Sequence, residues 1–169
     1  KLRIITESYS STAKDAVWPT ILKLIPPQFL GKPEKLSSGV IVGVPLVNGS
    51  FIRIMSFDQP VKNFESTDFH CNHYDEPPPL SIYEAAERAV VDHNGYTWLT
   101  MTNLRQPWAK RDIIDKADGK KIFVIKGTIW DNEEKILPDG RIQGGLKREA
   151  INNYLDKIKD PKVRKARET

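Results

Sequence analysis

The chain has 169 residues, 39% apolar and 28% charged, with a formal net charge of +4. That length suits one domain, or a large part of one, with a real core, and no apolar run reaches the roughly 18 residues of a membrane span. The single cysteine, Cys71, excludes an internal disulfide and suits a reducing cytoplasm.

The start, Lys1-Leu2-Arg3-Ile4-Ile5-Thr6, reads as a buried strand and not as the apolar core of a signal peptide. With no initiator Met, such a start suggests a fragment or a processed product. Thr6 to Thr12 is polar and turn-like. From Thr12, the residues Ala13, Ala16, Val17, Ile21, Leu24 and Ile25 fall at helical spacing. Pro19 should kink or restart that helix, and Pro26-Pro27 should end it. Gly31 to Ser38 reads as a loop. Val40 to Val47 and Phe51 to Phe57 are β-rich runs around Asn48-Gly49, a hairpin signal because both residues tolerate positive φ. A loop from Pro60 to Asp68 leads to a strand over Phe69 to Asp75.

That strand ends in Asp75-Glu76 and is cut off at once by Pro77-Pro78-Pro79. Proline cannot extend a ladder and disfavours a helix just before it. The two carboxylates are therefore expected at the carboxyl end of a strand, the edge where open α/β sheets bind ligands. Beyond the prolines, Ser81 and Glu84 fit a capping box for a helix with Ile82, Ala85, Ala86, Ala89 and Val90 inward. His93-Asn94-Gly95 should close it. Tyr96 to Met101 is a further strand, ending in the polar group Thr100, Thr102 and Asn103. Lys121 to Ile125 reads as another strand. Pro138-Asp139-Gly140 is a turn, and Leu146, Ala150, Ile151, Tyr154, Leu155 and Ile158 mark an amphipathic helix. Pro161 opens a short basic helix or tail. Strands alternating with helices argue for an α/β sheet, mostly parallel, with one antiparallel hairpin attached.

An adjacent Asp and Glu at a strand end is what a nucleotide hydrolase needs. The Asp holds Mg²⁺ through its water shell, and the Glu orients or deprotonates the attacking water. A solvated acidic strand end is the competing reading. Hydroxyls at Thr100 and Thr102 could sense a phosphate if the two strands are neighbours, or could mark an ordinary strand-to-loop transition. His70, Cys71, His73 and His93 do not make a zinc site, because strand neighbours point to opposite faces. Trp18, Trp98, Trp108 and Trp130 read as packing residues. The loop from Arg105 to Arg111, with Trp108 among three cations, is the one place suited to base stacking. Residues 141 to 169 hold nine Lys/Arg against four Asp/Glu. Such a balance suits either phosphate backbones or a solvated helix face. No phosphate-cradling GxxxxGK(S/T) segment is present.

The run Asn48-Gly49-Ser50-Phe51-Ile52-Arg53-Ile54-Met55-Ser56-Phe57-Asp58-Gln59, then a loop, then His73-Tyr74-Asp75-Glu76-Pro77-Pro78, resembles the ATPase domain of phage terminase large subunits. That family packages viral DNA into procapsids. Its pattern is a hairpin ending Ser-x-Asp-Gln, a loop, and a Walker B strand ending Asp-Glu before prolines. A coupling motif follows, resembled here by Tyr96-Thr97-Trp98-Leu99-Thr100-Met101-Thr102-Asn103-Leu104, with Asn103 where many members have Pro. Thr128-Ile129-Trp130-Asp131-Asn132 and the helices from Leu146 to Thr169 resemble the close of that domain.

The resemblance implies a P-loop NTPase-like, mostly parallel α/β sheet with an antiparallel hairpin, followed by a small helical C-terminal segment. It implies an ATPase core over 1–132 and a closing segment over 133–169. Asp75 would carry Mg²⁺ through water, Glu76 would be the catalytic carboxylate, and Thr100, Thr102 and Asn103 would form the coupling motif. The Walker A loop would lie before Lys1 and a nuclease domain after Thr169. Arg53, Arg88, Arg105 and Arg111 are all available as an arginine finger, with no basis for choosing. The implied substrate is ATP and the implied partners are double-stranded DNA, the portal protein, the terminase small subunit and further copies in a ring. The implied place is the cytoplasm of an infected bacterial host, transiently at the procapsid portal. Two rival readings are a split or decayed copy that only binds DNA or protein, and a helicase-type ATPase core.

Overall fold

The strand β1, Leu2–Thr6, carries Leu2, Ile4 and Ile5 and is buried from Arg3 onward. A strand with both faces covered reads this way, and β1 is central. The computed structural model describes all residues except 66–67, 103–105 and 169 and the side chain of residue 166. The described chain forms two compact units, Lys1–Met101 and Thr102–Thr169.

The first unit is built on a six-stranded sheet. Its strands are β1, β2 (Glu34–Lys35), β3 (Ile41–Pro45), β4 (Phe51–Ser56), β5 (Cys71–Asp75) and β6 (Tyr96–Thr100), in the order β2-β3-β4-β1-β5-β6. β4, β1, β5 and β6 run parallel, while β2 and β3 are antiparallel additions. The hairpin expected at Asn48-Gly49 joins β3 to β4, with Gly49 at φ 82°. The short strand β2 falls where the sequence suggested only loop, and it pairs with β3 through an irregular register.

One face of the sheet is covered by a helical stretch that starts at Tyr9, earlier than the spacing from Thr12 indicated. Ser8 caps it by accepting the N–H of Ser11. Its first turns, Tyr9–Val17, are widened to i→i+5 bonds, as in Ala13 N–H to Ser8 O at 2.9 Å. Ordinary helix, α1, takes over at Trp18–Leu24, and Pro19 sits at the switch where the restart was expected. Ala13, Val17 and Ile21 pack on Ile4, Ile41, Val44, Ile52 and Ile54. Burying an aliphatic side chain of this kind contributes about 1.5–3 kcal/mol.

The opposite face carries α2 (Lys62–Glu65), which lies inside the expected Pro60–Asp68 loop, and α3 (Leu80–Val91). Phe64, Ile82, Ala85 and Ala86 cover Ile5, Met55 and Tyr74. The capping box at Ser81 and Glu84 does not form: α3 begins at Leu80 on the fixed backbone of Pro79, with no side-chain cap. A proline N-cap pre-sets the chain direction without that bond. At the far end Asn94 takes φ 47°, and Gly95 N–H reaches Val90 O at 2.9 Å. A Cβ at Gly95 would lie 2.4 Å from His70 O, so glycine is required there by space.

Between sheet and α3 lies a buried polar knot. Arg3, fully buried, donates to Asn72 Oδ1 at 3.0 Å, Phe64 O at 3.1 Å and Ala86 O at 2.6 Å, with Phe69 stacked on its guanidinium. Glu87 accepts from Asn72 at 3.1 Å, from the Tyr74 hydroxyl at 2.9 Å and from Thr97 at 2.7 Å. Burial, helped by Glu87, pushes the Tyr74 hydroxyl well above its ordinary value. Buried polar groups are tolerated when partnered in this way. Trp98, expected as a packing residue, is 57% exposed on β6, the last strand of the sheet among the described residues.

In the second unit, Trp108 is buried in the short helix α4 (Pro107–Asp112), which replaces the expected stacking loop. A two-stranded hairpin, β7 (Lys135–Ile136) and β8 (Ile142–Gln143), turns at Pro138-Asp139-Gly140 as anticipated. Helix α5 (Arg148–Asp156) buries Ile151 and Leu155, and the basic helix α6 (Pro161–Glu168) follows. Thr128 and Asp131 form a mutual cap, and Arg148 grips Glu133 at 2.6 and 3.1 Å. Lys121 to Ile125 is not a strand. It has no regular structure, with Phe123 72% and Ile125 88% exposed. A β-prone run becomes a strand only when a ladder partner is beside it.

Candidate functional site

The parallel strands end at one level. Thr6 on β1 pairs with Ser56 on β4, and Asp75 on β5 pairs with Thr100 on β6. The β1–β5 register runs from Leu2↔Cys71 to Ile5↔Tyr74, so one further step sets Thr6 beside Asp75. Paired residues in parallel strands share a face. The carboxyl edge therefore carries a row of polar side chains across four strands, Ser56, Thr6, Asp75 and Thr100, directly above the apolar row of Ile54 and Ile4.

Glu76 follows the row and is half-buried, with φ at 74°. A non-glycine residue in the left-handed region costs about 1–2 kcal/mol. Such strain persists where the surroundings enforce it, and it clusters at functional sites. The enforcement is visible. Glu76 N–H donates to Thr100 O at 2.9 Å, and the buried Pro77 and Pro78 turn the chain away from the sheet.

Thr100 ties the strand ends together a second time. Its hydroxyl donates to Tyr74 O at 3.3 Å and lies 3.2 Å from His73 Nε2. With the Thr100 proton directed at Tyr74 O, His73 donates from Nε2. Burial lowers the His73 pKa, and the neighbouring Asp75 carboxylate partly restores it. On the other flank, Ser56 Oγ donates to Glu7 O at 3.1 Å and meets Asp58 at 3.0 Å. The Tyr9 hydroxyl donates to Gln59 Oε1 at 2.9 Å, and burial pushes that hydroxyl up to about 12. The Ser56-Phe57-Asp58-Gln59 turn is thus anchored to the start of the first helical stretch.

Of the residues singled out from sequence, Asp75, Glu76 and Thr100 meet at this edge. Thr102 is half-buried at the start of the second unit, and Asn103 lies outside the described residues. Arg53 is paired with Glu34 at 2.9 Å, and Arg111 with its neighbour Asp112 at 2.5 Å. Ser56 belongs to the Ser56-Phe57-Asp58-Gln59 hairpin end already marked in the sequence, whereas Thr6 had no such mark, because nothing local gives the register that aligns it with Asp75.

No protein-family profile and no curated sequence matches this chain. Two solved structures do. One is a large terminase from a thermophilic bacteriophage, 14% identical, with a TM-score of 0.70 over 95% of this chain. The fold is that of a phage large terminase. A second crystal form of that terminase, in complex with ADP, matches at a TM-score of 0.68, again at 14% identity and over 95% of this chain. The chain spans 38% and 37% of those terminases' lengths. The terminase fold here is the mixed α/β sheet described above, with the small β7–β8 hairpin in the second unit.

The residues at the edge suit a hard divalent cation. Asp75 and the neighbouring hydroxyls are all oxygen donors, the ligand type Mg²⁺ takes. Thr6 adds a specific mark. It is fully buried, and its Oγ1 has no hydrogen-bond partner among the described residues. Leaving a buried hydroxyl unpaired costs about 1–3 kcal/mol, so an oxygen-rich guest beside it resolves an open demand.

Proposed function

We infer that this chain is part of the ATPase of a phage terminase large subunit, a motor that couples ATP hydrolysis to DNA packaging. The observation that carries the reading is the Asp75-Glu76 pair at the carboxyl edge of a terminase fold, with Glu76 held in a strained conformation beside Thr100. Asp75 would hold Mg²⁺ through water, and when bound the ion neutralises charge developing on the transferring phosphoryl group. Glu76 accepts the proton of the attacking water. The fixed backbone at Glu76 aims that carboxylate before substrate arrives, which removes a positioning cost from the reaction. Thr100 bonds both the Tyr74 carbonyl and the Glu76 N–H, so displacement of either strand end is felt by the other. That link supports a coupling role for β6 and for Thr102 and Asn103 beyond it. The phosphate cradle would be supplied by a Walker A segment outside these 169 residues. Double-stranded DNA, the portal and the small subunit are the partners this reading brings, in the host cytoplasm.

The test is Glu76→Gln in the full-length protein. Loss of a general base lowers turnover by about 10²–10⁴-fold, while nucleotide binding is retained. Turnover close to wild type would remove Glu76 from the chemistry and the reading with it.

A further inference from the structure

We propose that Thr6 is a further positioning residue of the site, its hydroxyl holding a water in the shell of the divalent cation carried by Asp75. The inference rests on the role given above to Asp75. It starts from an accounting of hydrogen bonds. Among the described residues, buried side-chain atoms without a partner are Thr6 Oγ1 and Arg167 Nε. The rest of Thr6 is satisfied: it pairs with Ser56, and its carbonyl accepts the Phe57 N–H at 3.0 Å. The demand is thus confined to one hydroxyl.

Position selects what meets it. Thr6 ends β1 on the face shared with Asp75, one strand away, and adjacent strands lie about 4.8 Å apart. Its neighbour on the opposite side, Ser56, is already engaged with Asp58 and the Glu7 carbonyl. On the other side, the β1–β5 register sets Asp75 on the same face as Thr6, one strand away, so its carboxylate and any water it orders are the candidates to meet that hydroxyl. Mg²⁺ gives up its water reluctantly and is usually held through one or two carboxylates plus waters. A hydroxyl one strand from the carboxylate has the reach for an outer-shell water and too little for a second direct ligand. Outer-shell partners of this kind typically change metal affinity by about 10-fold or more when removed.

The experiment uses Mn²⁺ alone as the probe, titrated into the full-length protein and read by the loss of free-ion electron paramagnetic resonance signal. Four proteins are compared: wild type, Asp75→Asn, Thr6→Val and Thr6→Ser. Valine keeps the shape of threonine and removes the hydroxyl, while serine keeps the hydroxyl. Thr6→Val is expected to weaken Mn²⁺ binding about 10-fold, with Thr6→Ser within about 2-fold of wild type. A merely structural Thr6 leaves Mn²⁺ affinity unmoved in Thr6→Val, and that result overturns the proposal. Equal weakening in Thr6→Val and Thr6→Ser overturns it too, because shape and not the hydroxyl would then matter. If Thr6→Val fails to fold, Thr6→Ala against Thr6→Ser gives the same contrast. Asp75→Asn separates the two claims. If it binds Mn²⁺ like wild type, the cation role of Asp75 fails; if it loses binding while Thr6→Val does not, only the Thr6 proposal fails.

Discussion

Replacing Glu76 by glycine should make the protein more stable and inactive at once. The residue sits at φ 74°, a conformation that costs an L side chain about 1–2 kcal/mol and glycine almost nothing. Glycine also loosens the unfolded chain, which returns about 0.4–1 kcal/mol. The difference leaves a net gain centred on about 0.8 kcal/mol, or roughly 2–3 °C in melting temperature for a chain of this size. The reference is Glu76→Ala, which removes the same carboxylate but keeps the strain, so any side-chain contact cancels between the two. Thermal unfolding followed by circular dichroism reads the difference, and ATP turnover of both variants in the full-length protein reads the chemistry. If Glu76→Gly melts at or below Glu76→Ala, the backbone there is not strained. Glu76 would then carry no strain to mark it as a site residue, whatever happens to turnover.

Two further outcomes follow from the packing. Arg3→Met removes the donor to Asn72 Oδ1, Phe64 O and Ala86 O; Ala86 O keeps the Asn72 Nδ2 bond, so the loss falls on the other two acceptors, at a cost of about 2 kcal/mol or more, and a chemical-denaturation loss under about 1 kcal/mol would show that the knot contributes little. Asp118 accepts the N–H groups of Ile122, Lys120 and Lys121, which hold its carboxyl at about 2 against an ordinary 3.8. A carboxyl lowered in the folded state contributes stability that is present above its ordinary value and lost as pH falls toward its folded one. The 118–122 turn should therefore loosen between about pH 4 and pH 2, and a carbon-detected NMR titration of Asp118 with an ordinary midpoint would refute this.

The parallel core was legible because its strands are short runs rich in apolar, β-branched and aromatic residues, with strong punctuation at their ends. Asn48-Gly49 announced the β3–β4 hairpin, and Pro77-Pro78-Pro79 announced the end of β5. These signals act within a few residues, so the sequence carries them openly. The failures share a different cause. Ser81 and Glu84 are a sound capping pair, but Pro79 had already set the helix two residues earlier. Lys121 to Ile125 has strand composition, yet a strand is a relation between two segments and no described segment lies alongside. The widened turns from Tyr9 to Val17 have no pattern of their own that separates them from ordinary helix. Asp75 and Glu76 were found from their neighbours in the chain. Thr6 was not, because its meaning comes from residues about 50 and 70 positions away, brought level by pairing.

That pairing also guards against misfolding. Sheet side chains alternate, so a slip of one residue between β1 and β5 sends every side chain to the wrong face. Arg3 would leave its three acceptors and face the apolar side of the Tyr9–Leu24 stretch, lined by Ala13, Val17 and Ile21, while Ile5 would take the place of Thr6 in the polar row. The contact from Arg3 to Asn72, 69 residues along the chain, therefore works as a proofreading mark. The chain cannot bury the Arg3 guanidinium correctly without also aligning the edge that carries Asp75 and Glu76, and a copy folded out of register betrays itself to denaturation.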